Sequence, residues 1–156
     1  MAAEVSTTLR QKVEALEQTV VAQHLPQAEC PVRHYFAPGV FAREMTIPAG
    51  TLLTGAVHRT ENLAVLSAGS LVMATEQGPV TIRAPHVMTV KAGAKNCGYA
   101  IETAVFTNFF ANPANETDIE KLVEMLSESK ADELLGGSKN PQLVAQRAAE
   151  IAEEKP

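Results

Sequence analysis

Between Ile47 and Tyr99 the chain rarely runs far without a glycine, a proline or a polar break, and the runs in between are short and rich in Val, Ile, Leu and Thr. Runs of this length read as strands, because an amphipathic helix needs a longer unbroken 3.6-residue period. TLLTGAVH, NLAVL, SLVMAT and HVMTV each make one, and TEQGPVTIR makes a hairpin around Gln77 and Gly78. GYAIE and AVFTNFF continue the series beyond Cys97. Ahead of it, VFAREMTI (Val40 to Ile47) alternates, with Phe41, Met45 and Ile47 on one side and Glu44 and Thr46 on the other, and Arg43 interrupts the apolar side. Roughly eight short strands at close spacing favour an antiparallel sandwich or barrel over alternating βα units. Closing such a sheet on itself hides what an open one would expose.

The flanks have a different character. Leu9, Val13, Leu16 and Val20 recur in steps of four and three, a short helical stripe with Ser6 or Thr7 available as N-cap. A helix this short is marginal alone, so the stripe docks either on its own domain or on copies of itself as a coiled coil. Pro26 ends it, and QAECPVRHYFAPG follows as an extended connector in which His34 is a packed or hydrogen-bonded histidine. After Asn112, Thr117 and Glu120 stand in capping-box spacing ahead of a helix with Ile119, Leu122, Val123 and Leu126 on one face. Gly136, Gly137 and Ser138 break the chain before a last helix, capped by Asn140 and Pro141, with the thin stripe Leu143, Val144, Ala148 and Ile151. That stripe packs on the barrel or on another protein. The divisions are therefore 1–28, an N-terminal helix and connector; 29–113, the β-barrel; and 114–156, a C-terminal helical extension.

Composition narrows the functions. A chain of 156 residues can bury a core without disulfides. Its net charge of −5 and lack of a basic stripe speak against nucleic acid as a partner. The first residues lack the apolar stretch of a signal peptide and no run approaches membrane-spanning length, so a cytosol-like compartment and no membrane partner are expected. Cys30 and Cys97 have no Cys or His cluster near them and are expected to be buried thiols.

The order of strands and glycines resembles the cupin family of small double-stranded β-helix barrels. Its first motif, G-x5-H-x-H-x3-E-x6-G, starts here at Gly50 and closes on Gly69, placing Ala56 and His58 at the two histidines and Asn62 at the glutamate. The second, P-x-G-x2-H-x3-N, falls on Lys91, Gly93, Asn96 and Ala100. The glycines suit turns with positive φ, and thus speak for the fold. The ligand positions do not: one histidine with two amides is not a first-row metal site, and Glu61 points away from the face of its neighbour Asn62. His86 and Cys97 lie outside the motif frame. The fold class expected is therefore mainly β, a cupin-like jelly-roll barrel with an N-terminal helix and C-terminal helices, and no metal, cofactor or catalytic residue.

Cys30 to Glu124 also resembles a group of small cupin-like proteins of tailed bacteriophages. In that group a histidine often stands where Asn62 does, and another follows the residues corresponding to Gly98, Tyr99 and Ala100, where this chain has Ile101. The resemblance implies a virion protein made in the host cytoplasm, a minor neck, tail or fibre-associated component, with itself and other virion proteins as partners; the apolar stripes of the terminal helices, Leu9, Val13, Leu16, Val20, Leu143, Val144 and Ile151, are the surfaces that need such partners. A capsid decoration protein is the nearest variant. Two alternatives are a metal-dependent cupin enzyme, which needs three convergent ligands, and a small-molecule or glycan-binding barrel whose mouth is lined by His58, Asn62, Asn96 and Tyr99. With aromatic residues at 4%, a sugar-stacking platform is disfavoured.

Overall fold

The computed structural model describes residues 8–23 and 28–128. Among these residues seven strands, β1 (Val32–Ala37), β2 (Gly39–Ile47), β3 (Leu52–Val57), β4 (Asn62–Thr75), β5 (Gly78–Arg83), β6 (His86–Val90) and β7 (Lys95–Asn112), lie between α1 (Leu9–Ala22) and α2 (Ile119–Leu126). Every strand pairing is antiparallel. The expected mainly β jelly roll with flanking helices is the architecture found. The expected caps Ser6 and Thr7, the break at Gly136 to Ser138 and the last helix with Leu143, Val144 and Ile151 lie outside the described residues.

β4 and β7 pair along most of their lengths and form the spine. Each serves two layers. The first half of β4 and the second half of β7 join a five-stranded layer in the order β1-β2-β7-β4-β6, and their other halves join a four-stranded layer, β3-β7-β4-β5. The sequence divides each of these long strands in two, as NLAVL and SLVMAT and as GYAIE and AVFTNFF. The structure keeps each continuous through a corner, where the register of the pair shifts between Leu66 and Leu71. Gly69 makes the corner possible. Its φ of 78° is left-handed, and a Cβ there would overlap the Thr103 carbonyl oxygen and sit 2.8 Å from the Ala104 Cα. Gly50 and Gly93 also have positive φ, as their turn positions require.

The stretch expected as an extended connector is instead partly a strand. Val32–Ala37 pairs with β2 through a tight turn at Pro38 and Gly39, so the edge of the five-stranded layer comes from outside the most strand-like part of the sequence. Between the layers, alternate residues of the strands meet: Met45, Ile47, Leu66, Leu71, Met73, Ile82, Ala100 and Ala104 are all buried in one cluster. Each fully buried aliphatic side chain contributes roughly 1.5–3 kcal/mol.

Both helices are capped one residue away from the sequence expectation. Thr8 and Gln11 form a reciprocal capping box on α1, the Gln11 N–H donating to Thr8 Oγ1 and the Thr8 N–H to Gln11 Oε1 at 2.9 Å. On α2 the cap is Asp118, whose carboxylate accepts from the Glu120 and Lys121 N–H groups. α1 docks on its own barrel. Val13 is buried, Glu17 accepts from Thr54 Oγ1 at 2.6 Å and pairs with Lys95 at 3.1 Å, and Leu16 at the rim stays exposed. Among the described residues no helix is long and apolar enough to cross a membrane.

Candidate functional site

Phe41, Arg43, Met45 and Ile47 alternate along β2 and face inward, toward Leu53 of β3 and Leu71 and Met73 of β4. The space between them is a cavity of about 130 Å³. Leu122, Val123 and Leu126 of α2 close one end, with Leu122 and Leu126 packed on Phe41 and Phe110. α2 is held there by backbone bonds on both sides of the chain after β3: the Arg59 N–H donates to the Leu126 carbonyl at 2.9 Å, and the Glu128 N–H to the Val57 carbonyl at 3.0 Å. The Arg59 side chain adds a bond to the Ser127 carbonyl at 2.7 Å.

The polar part of the lining comes from four strand-borne groups, a histidine and Ser127 at the end of α2. Arg43 and Asn108 are register partners across β2 and β7. Thr54 and Asn96 come from the opposite layer. His58 stands just beyond β3, its ring stacked on Phe110 with centroids 6.0 Å apart. The two segments carrying the motif glycines converge on it: the Gly93 N–H donates to the His58 carbonyl at 2.7 Å, and the His58 N–H to the Ala94 carbonyl at 3.1 Å.

Asn62, at the glutamate position of the motif, is a structural hub. Its amide nitrogen donates to the Thr60 carbonyl at 3.2 Å and lies 3.4 Å from His58 Nδ1, while its oxygen accepts from Asn108 Nδ2 at 2.9 Å. An amide N–H directed at Nδ1 leaves the proton of the neutral ring on Nε2. Burial first, and the Arg43 charge second, hold His58 below the ordinary histidine pKa. His34, stacked on Phe41 at 5.8 Å, is lowered by the same two causes. Burial also lowers Arg43 itself, opposed by the Cys30 thiol, and raises Cys30 and Cys97. Both cysteines are buried free thiols, as expected from their isolation.

These donors do not fit a divalent metal. One imidazole is joined by neutral amides, one of them already engaged on both its oxygen and its nitrogen, and a guanidinium shares the same wall. Among the described residues no group of three or more His, Cys, Asp or Glu side chains could hold a metal ion.

No protein-family model and no curated protein matches the sequence. Among solved structures, a cupin domain from Bordetella pertussis Tohama I is similar at 18% identity and a TM-score of 0.44, over 56% of this chain and 98% of that one. KdgF from a Halomonas species is similar at 10% identity and 0.49, over 62% and 89%. An RmlC-like cupin family protein from Methanocaldococcus jannaschii, described as a double-stranded β-helix, is similar at 14% identity and 0.46, over 56% and 84%. The fold those descriptions name is the one already evident in the strand order.

The sequence candidates divide clearly. His58 and Asn96 line the cavity, as does Ala56, and Asn62 supports His58 from behind. Tyr99, expected at the mouth, is a correction: Gly98 faces the cavity, so its neighbour points outward and is exposed. Glu61 and Ile101 are exposed, and Cys97 is buried near Glu17 of α1. His86 pairs with Leu66 at the edge strand and does not reach the cavity. Arg43 and Asn108 were not singled out as site residues. The signal for Arg43 was present, since an arginine at an inward position between Phe41 and Met45 breaks the strand pattern. Asn108 had none until the register placed it opposite Arg43.

Proposed function

We propose that this chain is a structural or interaction protein of a tailed-phage particle, a minor neck, tail or fibre-associated component whose barrel is non-catalytic. Its main support is the outer face of the five-stranded layer. Tyr35, Ala42, Phe109 and Leu63 follow one another across four adjacent strands in register, with Val40 and Val87 alongside. Leu63 is 51% and Val87 61% exposed, and Tyr35 and Phe109 are exposed on either side of the buried Ala42, so apolar surface on this face is open to a partner. Contiguous apolar surface of this kind marks interaction sites on otherwise soluble proteins. The likeness of Cys30 to Glu124 to phage cupin-like proteins supplies the setting, and other virion proteins or further copies of the chain are the partners.

The test is mass spectrometry of purified particles. Wild-type chain is expected in them, and a Leu63→Asp, Val87→Asp double variant, folded but with a charged face, is expected to be depleted. Absence of the wild-type protein from intact virions overturns the proposal. Cross-linking to neck or tail proteins, as opposed to capsid protein, separates this placement from a decoration role.

A further inference from the structure

We propose that the barrel interior holds a compact neutral carbonyl compound, the size of a single ring, whose oxygen accepts hydrogen bonds from His58 and Asn96. Small residues make the room for it. Gly55, Ala56 and Gly98 line the cavity, where larger side chains would have filled the barrel as Leu66 and Ile82 do in the core between the layers. The space left is about 130 Å³, close to the roughly 150 Å³ of a Leu-, Ile- and Phe-lined cavity that takes up benzene. It admits one ring, and neither a sugar chain nor a peptide.

Most polar groups around this space are already engaged inside the protein. Thr54 Oγ1 donates to Glu17, Asn108 Nδ2 to Asn62 Oδ1, and Ser127 Oγ to the Val123 carbonyl. Arg43 too has an interaction of its own, and the site does not call on its charge. That singles out Asn96 and His58. Among the described residues the Asn96 carboxamide has no hydrogen-bond partner, and the His58 ring has none beyond Asn62 at Nδ1, which leaves its Nε2–H. No fully enclosed side-chain nitrogen or oxygen among these residues lacks a partner, so both groups open onto free volume.

The two donors stand together. Val57 is the register partner of Lys95, and the His58 N–H bond to the Ala94 carbonyl carries the pairing past the end of β3. His58 and Asn96 are therefore diagonal neighbours on one face of the strand pair, with backbones about 7–8 Å apart. Both reach toward one acceptor atom, and a carbonyl oxygen with two lone pairs takes both bonds. Around them Met45, Leu53, Leu71, Met73 and Phe106 form an apolar wall for the ring, and the methionines adapt its shape. An unpaired charge would lose its hydration against such a wall, so the ligand is neutral. This site does not depend on the outer-face docking proposed above.

The experiment titrates the full chain, labelled at its methionine methyl groups, with cyclohexanone. Benzene serves as a ring without an acceptor, and cyclohexylammonium and benzoate serve as charged rings. Specific binding raises apparent stability, so cyclohexanone at about 10 mM is expected to raise the thermal midpoint by a few degrees, and the charged rings not at all. In the NMR spectrum the Met45 and Met73 methyl signals are expected to move, and that of Met125, exposed on α2, to stay. Asn96→Leu keeps the volume and removes the donor. It is expected to weaken cyclohexanone binding about two- to tenfold, the range a neutral hydrogen bond gives, and to leave benzene binding unchanged. Ala56→Leu fills the space and is expected to abolish binding of both rings. Should Ala56→Leu fail to fold, Asn96→Leu carries the test alone. No response to cyclohexanone, an equal response to benzene, benzoate or cyclohexylammonium, movement of Met125 without Met45 and Met73, or an Asn96→Leu protein that binds cyclohexanone as wild type does, overturns the proposal.

Discussion

Gly69→Ala and Gly50→Ala place the same methyl group at two left-handed residues, and comparing them separates backbone preference from steric collision. Both glycines have φ near 80°, 78° at Gly69 and 82° at Gly50. An L-residue held there costs about 1–2 kcal/mol. At Gly50 nothing lies within 4 Å of the new Cβ, so that cost is the whole effect. At Gly69 the Cβ runs into the backbone of Thr103 and Ala104, which belongs to the paired strand and has no flexible end to move aside. Overpacking adds about 1–3 kcal/mol, giving a total loss of about 2–5 kcal/mol at Gly69. Urea denaturation followed by circular dichroism reads both, with the two variants sharing a slope if the unfolded states are alike. Equal losses at the two positions would refute the claim that close approach of β7, and not φ alone, makes glycine necessary at the corner.

Leu122→Ala removes the buried centre of the α2 face that rests on Phe41 and Phe110, and is expected to lower stability by about 2–5 kcal/mol by the same denaturation assay; a loss under about 1 kcal/mol would mean that α2 is not a packed wall of the cavity. Stability is expected to fall with pH below the unfolded histidine value of 6.5, because His34 and His58 have folded pKa values beneath it: the unfolded chain takes up protons there that the native barrel resists, and the contribution is complete only above that range. Urea midpoints near pH 5 and near pH 7.5 measure this, and His58→Gln should reduce the difference; an unchanged or higher midpoint at the acidic value contradicts it. Elemental analysis of purified protein is expected to find less than stoichiometric Fe, Mn, Ni and Zn, with His58→Ala leaving the content unchanged; a full equivalent lost on that substitution would restore a metal centre.

The barrel was legible in the sequence because its signals are local. Glycine turns at 50, 69 and 93 and the alternation in Val40 to Ile47 depend on one residue and its neighbours, and the structure places them as expected. Corners inside strands were harder to see. The stretch around Ala68 and Gly69 carries the small residues of a break, and only the long-range pairing of β4 with β7 keeps the strand whole through it. β1 was missed for a related reason: Pro31 and Pro38 mark it as a connector, whereas its pairing comes from the neighbouring β2. The site was half legible. His58 and Asn96 follow from motif spacing, but the Asn62–Asn108 bond spans 46 residues and the Arg43–Asn108 juxtaposition is a matter of register, which no local pattern encodes. Tyr99 failed on parity, since a one-residue step along a strand moves a side chain to the other face.

Arg10, the second residue of α1, reaches Glu128 just past α2 at 2.9 Å. As an exposed ion pair it adds little to stability, but it serves as a ruler. The chain on either side of the barrel departs from a single corner, next to the four-stranded layer where Glu17 meets Thr54 and Lys95. A body tethered through either flank therefore holds the barrel by the same place. Tyr35, Leu63 and Phe109, by contrast, stand exposed on the five-stranded layer, so the ion pair and the apolar row occupy different layers of the barrel.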